Sequence, residues 1–303
     1  MRLIKPSFEI IEQEPGLEGI YKAIELAGRN CYKSESNIKE GSAKEFVDRM
    51  VKSKHLAMCE HGTVYLKDTY DVSTIGSWRR SIGGKYSSNK YSVVNTDRMC
   101  DFQGIYITTN FRVLVENNWL DDLQYLCNPT KFHEKRIMVR FICDRGVSHE
   151  FVRHRVFSFA QESTRYCNYS KDKFGSELTF IIPYWTNIPE GQSYWHDGIG
   201  YRVGADIQNK DFGYIEKSPN YFNFLSSLEE SEKCYLRLLN EGWVPQQARS
   251  ILPNSLKTEL VMTGTVEQWK GFFKLRDSKA AHPQAYELAH PLHEEFIKRG
   301  YLN

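Results

Sequence analysis

The chain has 303 residues, 41% of them hydrophobic and 14% aromatic, which is enough apolar material for one large core or two modest ones. Its net charge of +2 comes without an acidic or basic tail, which argues against a protein whose main work is coating nucleic acid or an anionic membrane. No apolar run approaches the roughly 18 residues of a membrane span and no charged leader opens the chain, so a cytoplasmic protein with no membrane partner is expected.

In chain order, Ile20, Ala23, Ile24 and Ala27 recur at helical spacing and predict a helix over 17–27, with GRNCY (28–32) as its exit. Phe46, Val47, Met50 and Val51 mark one side of a second helix over 43–52. It leads into HLAMCEHGTVYLKD (55–68), where TVYLK alternates as a strand. Residues 70–103 are rich in Gly, Ser, Asn and Tyr without a period and read as an extended excursion. GIYITT (104–109) then reads as a strand, and NFRVLVENN (110–118) and LDDLQYLC (120–127) as short helices.

RIMVRFIC (136–143) is the next strand, with Ile137, Val139, Phe141 and Cys143 on one face. Gly146 is expected to turn the chain, and Ser148 to cap a short helix, HEFVRHR, that sets Glu150, Arg153 and His154 on one side. A loop-rich region over 184–223 precedes an amphipathic helix over 226–240, and Pro245 fits the first position of a helix in PQQARSIL (245–252). LKTELVMTG (256–264) reads as a strand. TVEQWKGFFKLR (265–276) reads as a helix opened by the capping box Thr265-x-x-Gln268, with Arg276 in its last turn. The final stretch, 282–300, is helical in pattern, with Pro283 near its start and a kink expected at Pro291.

The chemistry concentrates in RHRVFSFAQESTR (153–165), where Arg153, His154, Arg155 and Arg165 surround the single carboxylate Glu162, with Ser158 and Ser163 between them. A guanidinium is a planar fork that fits phosphate oxygens two at a time, and serine hydroxyls or loop N–H groups fill the remaining acceptor sites. Such a run can hold two separate anionic groups in one site. The plain alternative is a charged surface, since exposed Glu150–Arg153 or Glu150–His154 pairs contribute only about 0.3–0.5 kcal/mol each.

The spacing Arg-His-Arg-x-x-Ser-x-x-x-x-Ser-x-Arg resembles the signature of the flavin-dependent thymidylate synthases, with all six specified positions matched over thirteen residues. GRNCY, HLAMCEHGTVYL, SHEFVRHR, QESTRY, QQARSILP, MTG, and FFKLR followed by AHP are similar to family segments and keep the family's order. The resemblance implies an α/β (α+β) fold, a mixed or antiparallel sheet core flanked by helices, in a single domain over 1–303. On this reading the stretches of about 70–135 and 184–223 are insertions. It also implies methylation of dUMP to dTMP, with FAD as cofactor, NAD(P)H and 5,10-methylenetetrahydrofolate as co-substrates, and a homotetramer whose sites are shared between subunits.

Carried over residue by residue, the resemblance implies FAD contacts from Arg153, His154, Arg155, Gln161, His55, Glu60 and Thr265. It implies dUMP contacts from Glu150, Arg153, Gln161, Glu162, Ser163, Thr164, Arg165, Arg249 and Arg276. Arg276 is the catalytic residue of this set, because a fixed guanidinium stabilises negative charge developing on the uracil ring. The chain departs from the family at Ala57, Thr265, Glu267 and Gly271, which bears on the adenine-side flavin contacts, and its histidine after Arg276 is displaced to His282.

The remaining candidates have plainer readings. Cys59 beside Glu60 and His61 is read as a small core residue rather than a nucleophile. GIGYRVG (198–204) is read as loop because it does not fit G-x-G-x-x-G, and Trp269, Phe272 and Phe273 are read as core. The seven cysteines, Cys31, Cys59, Cys100, Cys127, Cys143, Cys167 and Cys234, are scattered without a CxxC pair, so no disulfide framework and no metal are expected. A second hypothesis takes Trp78, Arg79, Arg80, Lys85, Tyr86, Lys90 and Tyr91 as the basic and aromatic surface of a single-stranded nucleic-acid-binding protein. The balanced net charge weighs against it, and the enzyme reading has no nucleic-acid partner.

Overall fold

The computed structural model describes residues 1–302 apart from 72, 74–76, 100–101, 192, 197–200, 205–211 and 215–217. β1 (Arg2–Ile4) and β2 (Ser7–Ile11) lead into α1 (Gly16–Tyr32) and α2 (Ser42–Lys52). β3 (Thr63–Asp71), α3 (Ser77–Arg80), α4 (Ile82–Tyr86), β4 (Val93–Met99), β5 (Phe102–Asn110) and α5 (Phe111–Glu116) follow. The middle of the chain holds β6 (Arg136–Asp144), α6 (Arg145–Phe151), β7 (Ser158–Gln161) and β8 (Thr179–Ile181). After β9 (Ser193–His196), β10 (Tyr201–Gly204) and β11 (Phe212–Tyr214) come α7 (Pro219–Asn240), α8 (Pro245–Ala248), β12 (Lys257–Thr265), α9 (Val266–Arg276) and α10 (Pro283–Lys298).

The central sheet has the order β2-β6-β12-β7, and every neighbouring pair is antiparallel. β6 and β12 pair along their whole length, from Asp144 opposite Lys257 to Arg136 opposite Thr265. Strand alternation sends Ile137, Val139, Phe141 and Cys143 to one face, where they pack with Trp269, Phe272 and Phe273 of α9 and Leu288, Leu292 and Phe296 of α10. Met138, Val261 and Ala160 belong to the opposite core with Ile20, Ile24 and Ala27 of α1 and Phe46 and Val47 of α2. The sheet is therefore a layer between two pairs of helices. Full burial of each large apolar side chain contributes about 1.5–3 kcal/mol, so this sandwiching fixes what the sheet carries.

Several expectations are corrected. GRNCY is not an exit: α1 runs on to Tyr32 and ends where Lys33 turns left-handed, at φ 48°. Its residues bridge to the motif, since Asn30 Nδ2 donates to the carbonyls of Ala160 and Glu259, and the Cys31 carbonyl accepts from the Ser163 N–H at 3.0 Å. Gly28 is required there because a Cβ would meet the Phe46 ring at 2.3 Å. Over 70–103 the described residues form α3, α4 and β4, and β4 joins an antiparallel sheet of order β3-β5-β4 rather than an unstructured excursion.

Asp144, not Ser148, caps α6, accepting from the Val147 N–H at 2.8 Å, and Gly146 lies inside the first turn instead of breaking the chain. A carboxylate at the end of a strand reaches the next turn's N–H groups directly, which pre-empts the cap three residues on. Part of the 184–223 region pairs as the antiparallel sheet β9–β11, so Tyr201–Gly204 of GIGYRVG is a strand, and residues 198–200 lie outside the described set. α7 begins at Pro219, well before the amphipathic pattern starts, and α10 continues through Pro291.

Candidate active site

α6 stops at Phe151, so Arg153, His154 and Arg155 occupy the turn between α6 and β7 rather than a helix; Glu150 and His154 share a side as expected, and Arg153 does not join them. Arg153 and Arg155 are exposed, and neither makes an ion pair among the described residues. His154 points inward instead, its ring 5.0 Å from that of Phe272. Arg276, the last residue of α9, donates from Nε to His154 Nε2 (3.1 Å), from Nη1 to Glu150 Oε2 (2.5 Å) and from Nη2 to the Glu150 carbonyl (2.8 Å). Burial, with Arg276 alongside, holds the His154 pKa down to about 4, so the imidazole is neutral and accepts through Nε2 at neutral pH. The guanidinium is thereby locked across the end of α6 in a fixed plane.

Next to this group, Gln161 at the end of β7 donates to Ser148 Oγ at 2.8 Å and Thr258 Oγ1 at 3.2 Å. These contacts fix the amide and direct its Oε1 away from them. Beyond β7 the chain turns inward. Glu162 is 2% exposed and accepts from Tyr169 Oη and Lys257 Nζ, both at 2.9 Å, and Lys257 also reaches Glu259 at 2.6 Å. Glu259 in turn is held down to about 2 by its two lysine partners, Lys257 and Lys33, despite its burial.

Thr164 accepts from Arg249 Nη1 at 3.4 Å, and Ser163 Oγ accepts from the Arg165 N–H at 3.3 Å. Arg165 lies exposed over the Tyr166 ring, 5.1 Å from its centroid, with no acidic partner among the described residues. Thus Ser163, Thr164, Arg165 and Arg249 gather at one rim while Glu162 lies beneath it.

Glu60, Arg155 and Thr265 meet elsewhere, in a cavity of about 440 Å³ that Ser158 also lines. Lys90 and Tyr91 close one side and Arg136 lies in the wall. Arg136 spends its guanidinium on neutral acceptors, Thr63 Oγ1 at 3.2 Å, the Glu60 carbonyl at 3.1 Å and Ser158 Oγ at 3.4 Å. Desolvation lowers its pKa to about 10, which still leaves it a cation at neutral pH. Glu60 is the one carboxylate in this lining, and Arg112 already pairs with it at 2.6 Å. The cavity is therefore positive on balance and suits an anionic ligand. Arg136 escaped the sequence reading because a single arginine opening a strand carries no pattern; only its register opposite Thr265 reveals it.

His55 stands apart, exposed at the turn after α2, where its N–H bonds the Met50 carbonyl. Cys59 is fully buried and its thiol is pushed up to about 11 by that burial, so it is a neutral core group at pH 7. The nucleic-acid surface is not favoured: Tyr86 is buried and bonded to Asp122, Lys85 pairs with Asp122 at 2.6 Å and Trp78 packs on Tyr70, which leaves Lys90 and Tyr91 exposed without them. The Arg79 side chain and Cys100 lie outside the described set. Among the described residues no group of three His, Cys, Asp or Glu is placed to hold a metal ion, and no helix is long and apolar enough to cross a membrane.

Sheet, arginine-rich turn and cationic cavity define an α+β protein whose described cations gather on a turn and around one cavity. The chain belongs to the thymidylate synthase complementing protein family, whose profile matches residues 128–299. The flavin-dependent thymidylate synthase of Pyrococcus furiosus is 29% identical over 157 residues, 52% of this chain and 52% of that protein. The flavin-dependent thymidylate synthase of Pyrococcus abyssi is 29% identical over 160 residues, 53% of each. The chain thus spans about half the length of the curated relatives it matches. A crystal structure of a UMP/dUMP methylase from Streptomyces cacaoi, bound with 5-Br dUMP, aligns over 98% of this chain and 93% of that one. The two are 15% identical, with a TM-score of 0.41.

Proposed function

We propose that the chain is a flavin-dependent thymidylate synthase that methylates dUMP to dTMP, with methylenetetrahydrofolate as carbon donor and NAD(P)H as reductant. The observation that carries this reading is the thirteen-residue motif, whose Arg155 and Ser158 open onto a cationic cavity shared with Glu60 and Thr265. Its volume and charge fit part of a dinucleotide such as FAD, and Arg153, His154 and Gln161 extend the same turn and strand. When bound, FAD supplies the hydride transfers that amino-acid side chains cannot perform.

The chain's own residues bind and polarise. Arg165 and Arg249, with Ser163 and Thr164, offer a rim for the dUMP phosphate. Arg276, its plane set by Glu150 and His154, offers positive charge to a uracil ring that becomes anionic as it is activated, and such preorganised charge acts most strongly where water is excluded. Gln161 stands between the two groups, and Glu162 supports the rim from below. No nucleophile is asked of Cys59, whose thiol is neutral.

We further assign His55 to the flavin site through a second copy of the chain. The dispersal of the motif residues over three places supports sites completed between subunits of a homotetramer. One domain over 1–303 and a cytoplasmic location complete the reading, the latter supported by six described cysteines that are all free thiols. The test is the visible spectrum of the protein titrated with FAD and then NADPH, with and without dUMP. Flavin bands that shift on binding and bleach faster with dUMP support the reading, and a protein that takes up no FAD overturns it.

A further inference from the structure

The cavity beside Arg155 has a wall that the family motif does not provide. Lys90 and Tyr91 come from the 70–135 stretch, which lies almost wholly ahead of the residues the family profile matches. Their backbone is held firmly. Asn89 Oδ1 accepts from the Tyr91 N–H at 2.9 Å and from Ser92 Oγ at 3.2 Å, and Ser92 Oγ lies 2.8 Å from Thr109 Oγ1 on β5. Tyr86, just upstream, is anchored by its bond to Asp122. The turn therefore presents Lys90 and Tyr91 from a fixed base, and Tyr91 is left 60% exposed, with Val156 of the motif 65% exposed at the same rim.

An exposed ring, a lysine and two arginines, Arg136 and Arg155, around one cavity with a single, already paired carboxylate match the chemistry of an adenosine diphosphate group. The ring takes a base on its face and the cations take the phosphates. The location is telling. Thr265, one of the positions where this chain departs from the family on the adenine side of the flavin, faces the same cavity.

We propose that the 70–135 insertion supplies the adenosine diphosphate end of the FAD site, with the free face of Tyr91 as the stacking surface for adenine and Lys90, whose Nζ lies 4.8 Å from the Tyr91 ring centroid, as charge for the pyrophosphate together with Arg136 and Arg155 of the same lining. This rests on the flavin-dependent reading. It gives the insertion a binding role and makes Tyr91 and Lys90 determinants of FAD over FMN. The same chemistry occurs in NADPH, so the two sources must be separated by experiment.

The experiment measures FAD, FMN and NADPH affinities by fluorescence titration for the wild-type chain, Tyr91→Ala, Lys90→Ala and the double variant, with urea unfolding as a check on the fold. Both residues are exposed, so the variants are expected to fold as wild type. Tyr91→Ala should weaken FAD about tenfold and the double variant more, with FMN changed less than about twofold. FAD affinity equal to wild type in the double variant, or equal losses of FAD and FMN, overturns the proposal. Weaker NADPH with unchanged FAD overturns the assignment to the flavin. A wild-type chain that binds neither FAD nor FMN instead overturns the flavin-dependent reading itself.

Discussion

In the 70–135 stretch Lys85 lies 2.6 Å from Asp122 and Arg112 is held by Glu60 and Glu116, whereas Arg153, Arg155 and Arg165 of the motif have no acidic partner among the described residues. Both regions carry several cations in sequence, but the first nearly balances them with carboxylates, eight Lys and Arg against seven Asp and Glu, and the motif does not. The stretch spends Lys85 on its own Asp122, which the buried Tyr86 hydroxyl also reaches, and Arg112 partly on Glu60 just before it. The motif keeps two guanidiniums on a turn that the sheet and α6 position, where ligand oxygens rather than carboxylates can satisfy them. Lys90, like Lys131 and Lys135 of the same stretch, has no acidic partner among the described residues, but of the three it alone lines the Arg155 cavity. Neutralisation, more than composition, separates structural charge from binding charge.

The contrast breaks if removing motif charge is harmless. Arg276→Ala should lower the turnover of dUMP to dTMP by about 100-fold or more, the usual cost of losing a preorganised charge, while FAD affinity stays within about twofold. Steady-state kinetics at saturating dUMP, with FAD titration in parallel, reads both. Retained turnover removes the role given to Arg276.

His61 tests the framework that carries both regions, because it stands just before β3 and bonds Thr263 of β12 in the central sheet at 2.8 Å. Burial first, and then the charge of Arg136, lowers its pKa from 6.5 to about 3 in the folded chain. The unfolded chain therefore takes up the proton first as pH falls. The stability is present above 6.5 and drains away toward 3, at about 2 kcal/mol between pH 6.5 and 5. Urea unfolding across that range should show the loss, and His61→Asn should show a shallower slope.

Arg165→Ala should weaken dUMP binding about tenfold and deoxyuridine binding less than about twofold, because only the nucleotide carries the phosphate. Equal losses by calorimetry place Arg165 elsewhere. The smallest effect belongs to the charge network of the 70–135 stretch: Tyr86→Phe, which removes the 2.9 Å bond to Asp122, should cost about 1 kcal/mol in urea unfolding and leave ligand affinities unchanged.

What the sequence shows and hides follows from how locally each feature is encoded. The β6 alternation and the Thr265–Gln268 capping box are local, and the structure has both, with Gln268 N–H to Thr265 Oγ1 at 3.2 Å and Thr265 N–H to Gln268 Oε1 at 2.8 Å. β7, four residues inside the motif, is too short to show a period and exists because β12 offers it an edge. β4 is hidden in the same way, and its pairing with β5 makes it a strand. The cap on α6 was misplaced because Asp144 and Ser148 both suit the role, and only the position of the strand end decides between them. The motif residues were legible as a list of types. Their division between the Arg276 group, the Arg249 rim and the Arg155 cavity, and the place of Arg136 in the last, depend on strand register that no local pattern records.

The most direct measurement of the central claim is dTMP formation by the purified chain given dUMP, methylenetetrahydrofolate, FAD and NADPH, run beside Cys59→Ala. The account predicts dTMP from both proteins, dependent on FAD and on NADPH. No dTMP from the folded wild-type chain, or dTMP that persists without FAD and vanishes in a folded Cys59→Ala variant, would contradict it.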